Sequence, residues 1–202
     1  MKPSNRLLNI EKSIKKYNPN YYTNFVTVDG FSRPLLLVAI KGASRKIKIY
    51  DDMRGLDNVA IIRYSMNGDR LFISELEVSF DYQRHGIGKM LLELAIAHGD
   101  ELGAKSMFCH AFPTAQIKGV SQYGYKAEVD ALTKFYQSAG CQIKRLADNS
   151  TKMFVQTWTN GEKIDNAKLN IQILAQSITE HESSIKGNSY LPEKDIETTK
   201  LF

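Results

Sequence analysis

Residues 71–103 read LFISELEVSFDYQRHGIGKMLLELAIAHGDELG, and the reading of this stretch decides the fold. Leu71 to Phe80 is a strand-type run. It passes through Gln83-Arg84-His85-Gly86-Ile87-Gly88 into a segment whose Ile87, Leu91, Leu94, Ala95, His98 and Leu102 fall on one helical stripe, closed by Gly103. Such a stripe predicts a helix lying on a sheet. Glycines between a strand and a helix let the backbone come close to a bulky anion. The first N–H groups of the helix, which have no intrahelical acceptor, point at that anion. The junction therefore reads as a pyrophosphate site. It is neither a Walker A loop nor a dinucleotide fingerprint, because the spacings of both are missing.

Working outward toward the N-terminus, Val59–Tyr64 predicts a strand joined to Leu71–Phe80 by the hairpin signal Asn67-Gly68-Asp69. Phe25–Val28, Leu35–Ile40 and Lys46–Tyr50 are further strand-type runs, so an antiparallel meander feeds the central strand. Ser4 to Tyr17 carries Leu7, Ile10, Ile14 and Tyr17 at helical spacing, with Ser4 as N-cap, and Asn18-Pro19-Asn20 breaks it.

Toward the C-terminus, Lys105–Ala111 predicts the returning strand of a strand–helix–strand unit. Phe112–Tyr125 reads as an irregular loop, Ala127–Ala139 as a helix stopped by Gly140, and Cys141–Arg145 with Met153–Thr159 as a closing hairpin. Beyond Gly161, Ile164, Ala167, Ile171, Leu174, Ile178 and Ile185 predict a long amphipathic helix, followed after Lys186 by a polar, disordered tail. The expected division is 1–160 for the main domain and 161–202 for helix and tail. Packing of that helix on its own domain is the favoured reading, with a homodimer or partner helix as the alternative. Gly99 predicts fraying near the end of the central helix, at about 1 kcal/mol relative to alanine.

Leu76-x-Val78 followed by Gln83-x-x-Gly86-x-Gly88 resembles the Gln/Arg-x-x-Gly-x-Gly/Ala signature of the GNAT family of acyl-CoA N-acyltransferases. Phe135-Tyr136-Gln137-Ser138-Ala139-Gly140-Cys141 is similar to that family's Phe-Tyr-x-x-x-Gly-Phe. The resemblance implies an α/β (α+β) fold with a mixed, mostly antiparallel sheet of six or seven strands flanked by helices. The strands equivalent to Leu71–Phe80 and Lys105–Ala111 would splay apart to admit a pantetheine arm. It also implies acetyl-CoA as co-substrate. Main-chain groups of Leu76 and Val78 would hold the arm, and the N–H groups of Gln83, Arg84, His85, Gly86, Ile87, Gly88 and Lys89 would cradle the pyrophosphate. In such a site a side chain at Gly86 or Gly88 would crowd the phosphates.

The implied activity is transfer of an acetyl group to a primary amine by direct attack in a ternary complex, with Tyr136 protonating the thiolate and an N–H near Val78 meeting the thioester oxygen. The alternative is a catalytically weak binding or regulatory module for a protein or nucleic-acid partner. The family has no fixed base position. In this chain Glu75 and Glu77 alternate with Leu76 and Val78 and share the opposite face of the strand, and Glu75, lying deeper, is the candidate base. Three departures bear on substrate choice. The asparagine frequent before the fourth helix has no clear counterpart, Cys141 replaces an aromatic, and the two-helix N-terminal lip is hard to find. Phe112–Tyr125 is the candidate acceptor wall.

Residues 1–50 hold ten Lys and Arg against Glu11 and Asp29, so most of the basic excess of a chain with formal net charge +5 lies in its N-terminal quarter. That excess suits a nucleic acid, an acidic partner or the phosphorylated co-substrate. His85, His98, His110 and His181 lack metal-ligand spacing, so no metal is implied. Cys109 and Cys141, both in apolar segments, predict a reducing, cytoplasmic setting, and no apolar run approaches the ~20 residues of a membrane span.

Overall fold

The computed structural model describes residues 2–111, 122–145, 153–157 and 169–185. Strand-type alternation in the first half of the chain produces a meander of five strands: β1 (Tyr22–Val28), β2 (Phe31–Ile40), β3 (Arg45–Tyr50), β4 (Asn58–Asn67) and β5 (Arg70–Val78), each antiparallel to the next. The Asn67–Arg70 corner turns at Gly68, whose φ of 61° suits a residue without Cβ. After β5 a single 3-10 turn, Phe80–Tyr82, leads to helix α2 (Ile87–Glu101). The strand β6 (Ser106–Ala111) then returns parallel to β5. Helix α3 (Gln122–Ser138) and the hairpin β7 (Gln142–Arg145) and β8 (Met153–Thr157) follow. Among the described residues the strand order is β1-β2-β3-β4-β5-β6-β8-β7, an eight-stranded mixed sheet with one parallel pair.

Cross-strand register assigns the two faces. Leu35, Leu37, Ile47, Ile49, Ile62, Tyr64, Leu71 and Ile73 are buried together against α2. Leu36, Val38, Ile40 and Tyr50 take the other face and meet Leu7, Ile10 and Ile14 of helix α1 (Asn5–Tyr17). Helix α1 begins as its sequence predicts, with Ser4 Oγ accepting from Leu7 N at 3.1 Å. It precedes β1, and β1 passes to β2 through the two-residue turn Asp29-Gly30, so no helical lip intervenes between these strands.

The single apolar stripe expected of α2 proves too narrow, because Met90, Leu92, Ile96 and Gly99 are buried as well. The reason is helix α4 (Leu169–Ser184), which packs mainly against α2 and places Ile171, Leu174, Ala175 and Ile178 in the same core. The C-terminal stripe is thus buried on its own fold, while Ile164 and Ala167 lie outside the described residues. Gly99 is no point of fraying. A Cβ there would come within 2.8 Å of Leu71 Cδ2, so the glycine lets α2 approach β5 closely, and Ala104 N closes the helix end on Gly99 O at 2.8 Å. Helix α3 begins at Gln122 rather than Ala127, which shortens the expected loop; residues 112–121 lie outside the description, as does the turn of the closing hairpin.

Polar contacts fix α4. Arg45 Nε lies 3.1 and 3.0 Å from the two carboxylate oxygens of buried Glu182, and Lys41 Nζ donates to Glu182 O at 2.9 Å. Nearby, buried His98 shares a 2.7 Å hydrogen bond with Tyr64 Oη through Nδ1. Burial, reinforced by the Arg45 charge, lowers the His98 pKa to about 4. The unfolded imidazole titrates near ~6.5, so below that pH the unfolded state binds a proton that the folded state refuses, and stability falls with acidification. Urea unfolding at pH 6.5 and 5 should show a loss of about 2 kcal/mol from this group, and a His98→Gln variant should flatten the dependence.

Candidate active site

The central feature is a fork in the sheet. Strand β5 pairs with β6 only from Arg70↔Ser106 to Ile73↔Cys109, although β5 runs on to Val78 and β6 to Ala111. The last paired step coincides with a β-bulge. Against β4, Arg63 faces Glu75 but Tyr64 faces Ile73, so Ser74 is the extra residue, and an extra residue bends and twists its strand. Beyond the bulge Ser79 N donates to Val59 O on the β4 side at 2.9 Å. Backbone groups alternate along a strand, so the N–H and C=O groups of Leu76 and Val78 turn toward the gap left by β6. Gln83 Nε2 donates to Val78 O at 3.0 Å. An extended, amide-bearing chain could pair with this edge as an added strand does.

The loop above the fork leaves the first N–H groups of a helix without intrahelical acceptors. Gly86 is the N-cap of α2, with φ 82° and no side-chain cap, and the first helical bond runs from Met90 N to Gly86 O at 2.9 Å. Ile87, Gly88 and Lys89 therefore present N–H groups with no acceptor inside the helix, next to exposed Gln83, Arg84 and His85. Gln83 N–H is not part of this set, since it donates to Phe80 O at 3.2 Å. Arg84 also lies in the left-handed region, at φ 63°.

The glycines have reasons within the protein itself. Gly86 combines its positive φ with a Cβ position 3.1 Å from Val28 Cγ1. A Cβ on Gly88 would lie 3.3 Å from Val78 Cγ2 and 3.5 Å from the Phe135 ring.

Tyr136 reaches the vertex of the fork. It is buried on α3 beside Cys109, the residue in the last β5–β6 step. Burial, then the neighbouring Cys109, push the Tyr136 pKa far above its ordinary value, so the phenol stays protonated and can donate. The same burial raises Cys109 to about 11 and Cys141 to about 12, which keeps both thiols neutral and poorly nucleophilic.

Glu75 and Glu77 lie on the face opposite α2, in register with Arg63 and Ile61 of β4. Glu75 is engaged: Arg63 Nε stands 2.9 Å from its Oε2. Glu77 is exposed and in no ion pair among the described residues.

Sequence patterns did not reveal what holds the loop in place. Asp51, fully buried, receives Arg33 Nε at 2.9 Å, Arg33 Nη2 at 2.5 Å and Tyr82 Oη at 2.7 Å. Phe31 stands between the Tyr82 and His85 rings at centroid distances of 5.8 and 5.7 Å, and His85 Nδ1 donates to Gly30 O at 2.8 Å. Burial works to raise the Asp51 pKa, but the hydrogen bonds from Arg33 and Tyr82 prevail and hold it below the usual carboxylate range. Only the juxtaposition Asp51-Asp52 after an apolar strand could have hinted at such a group.

Of the ten N-terminal cations, Arg33, Lys41 and Arg45 are taken up by internal partners, whereas Arg6, Lys12 and Lys16 are exposed on α1. Among the described residues no helix is long and apolar enough to cross a membrane.

Residues 49–120 match the model of the acetyltransferase (GNAT) family. Among solved structures, the chain is similar to a cAMP-binding acyltransferase from Mycobacterium smegmatis, with 12% identity and a TM-score of 0.56 over 87% of this chain and 60% of that one. It is also similar to the GNAT domain of S. lividans PAT, with 12% identity and a TM-score of 0.50 over 67% of this chain and 96% of that one. The chain thus spans 60% of the length of the mycobacterial protein. At these identities the likeness is one of fold. No curated protein sequence matches the chain.

An Asp51→Asn variant should lose about 1–3 kcal/mol at pH 7, because two donors lose a charged acceptor. The folded pKa of Asp51 is depressed, so its contribution is present above about pH 4 and vanishes as pH falls through the folded value. Denaturant titrations of both proteins should converge in acid.

Proposed function

We propose that this chain, whose residues 49–120 carry the GNAT acetyltransferase domain, is an acyl-CoA-dependent N-acyltransferase that moves an acetyl group from acetyl-CoA to a primary amine by direct transfer in a ternary complex. The observation that carries the reading is the fork: strand pairing ends at Ile73↔Cys109, directly below an uncapped helix N-terminus and beside a buried tyrosine hydroxyl. A pantetheine arm has the amides to pair with Leu76 and Val78, and a pyrophosphate has the charge for the N–H groups of Ile87, Gly88 and Lys89, with exposed Arg84 and His85 beside them. Acetyl-CoA, when bound, supplies an activated thioester.

The residues divide the remaining work. An N–H near Val78 stabilises developing charge on the acyl oxygen, because a fixed donor costs no reorganisation as that charge appears. Tyr136, neutral and at the vertex, donates a proton to the departing sulfur. The acceptor amine, mostly protonated at neutral pH, loses its proton through water to a carboxylate on the opposite face. Glu75 is the first candidate. Its pairing with Arg63 at 2.9 Å makes Glu77, which is exposed and in no ion pair among the described residues, the second.

A second reading, a binding module for an acidic or nucleic-acid partner, is favoured by the exposed cations of α1. It predicts salt-sensitive capture of that partner with CoA binding retained and no turnover.

Isothermal titration should show micromolar CoA binding that Gly86→Glu abolishes; absence of binding to the wild type ends the enzymatic reading. Across an amine panel, Tyr136→Phe should lower kcat by roughly 10- to 100-fold with little change in CoA affinity. Glu75→Gln and Glu77→Gln, compared by pH–rate profile, should remove the limb of the true base in one variant only.

A further inference from the structure

We propose that the β1–β2 hairpin and Asp51 form a positioning clamp that holds the anion loop in its binding-competent shape, with Gly30 and Tyr82 as its two points of purchase. The inference rests on the reading of Gln83–Lys89 as a pyrophosphate site and adds a set of residues, half of which precede the family-matching segment that begins at residue 49.

The hairpin tip is pressed onto the loop backbone. A Cβ built on Gly30 would lie 2.8 Å from the carbonyl oxygen of His85, 2.9 Å from its carbonyl carbon and 3.1 Å from its Cα, all main-chain atoms that no rotamer change can clear. Val28, on the other side of the turn, fills the space beside Gly86. His85 Nδ1 donates to Gly30 O, which sets both the ring tautomer and the path of the chain at the residue before the helix cap. The hairpin therefore contacts the loop at its last two residues before α2.

The other point of purchase is the start of the loop. Tyr82 ends the 3-10 turn from which Gln83 and left-handed Arg84 emerge, and its hydroxyl is tied to Asp51 at 2.7 Å. Asp51 is held in turn by Arg33 of β2, whose guanidinium carbon sits 5.0 Å from the centre of the Phe31 ring. Phe31 closes the circuit by touching Tyr82 and His85. Arg54 and Asp81, paired at 2.7 Å, add a second tie between the β3–β4 connection and the same turn.

Physically the clamp answers a problem of preorganisation. Orienting several N–H groups toward one point, with Arg84 and Gly86 both at positive φ, costs conformational freedom, and a loop free to relax would meet that cost on each binding event. A loop held from outside meets it once, on folding. The clamp residues meet the loop backbone at His85 and Gly86 and fix the turn at Tyr82, so they act through the loop.

The test compares CoA with pantetheine, which has the arm but no pyrophosphate, using wild type, Gly30→Ala, Tyr82→Phe and Glu182→Gln. The last variant loosens α4 and serves as a control for stability loss alone. Titration should show CoA affinity reduced at least 10-fold in Gly30→Ala and Tyr82→Phe, pantetheine affinity unchanged within 2-fold, and both ligands unaffected in Glu182→Gln. With an acetyl-accepting amine the first two variants should raise KM for acetyl-CoA and leave kcat within 2-fold. Equal losses for CoA and pantetheine, or unchanged CoA affinity in both clamp variants, overturn the clamp. A wild type that binds pantetheine but gains nothing from the pyrophosphate of CoA overturns the reading of the loop itself, and the clamp with it.

Discussion

Everything about the site follows from where two strands stop pairing. From Arg70 to Ile73 strand β5 satisfies its backbone on both sides, and after the bulge at Ser74 it is paired with β4 alone. An edge inside a sheet is costly to leave unpaired and must be solvated or paired by something else. In this fold the open edge lies on the α2 face at Leu76 and Val78, with their side chains packed against the core and their main-chain groups turned to the gap. The bulge therefore ends a continuous sheet in an open edge without any side chain being dedicated to the task.

Helix α2 ties that edge to the rest of the molecule. Its N-terminus continues the glycine loop, one face covers the meander, another receives α4, and Gly99 allows it to settle on Leu71. Such a helix is rigidly placed, which benefits a site built from backbone N–H groups, since their directions are those of the helix axis. The salt-linked Arg45–Glu182 pair and the His98–Tyr64 hydrogen bond lie toward the other end of α2, so the elements that fix the helix are spatially separate from those that use it.

Charge is distributed by the same logic. Among the described residues several N-terminal cations meet internal acceptors, among them Arg33 on Asp51, Lys41 and Arg45 on Glu182, and Lys15 on Glu11. What remains on α1 is an exposed basic helix face on the side of the sheet that also carries Glu75 and Glu77. A net-charge count could not separate these groups, because pairing depends on which strands become neighbours.

Local chemistry in the sequence determined the elements: alternation produced the meander, Ser4 opened one helix and Gly140 closed another, and the glycines marked the junction of strand and helix. Those features act over a few residues, where steric and hydrogen-bonding rules apply whatever the rest of the chain does. Tertiary structure alone decided the breadth of the buried surface on α2, the meaning of Gly99, the engagement of Glu75 by Arg63 and the seating of the loop on Gly30, Phe31 and Asp51. Each of these joins residues distant in the chain, and a contact across that separation exists only after the sheet has brought both partners to one place.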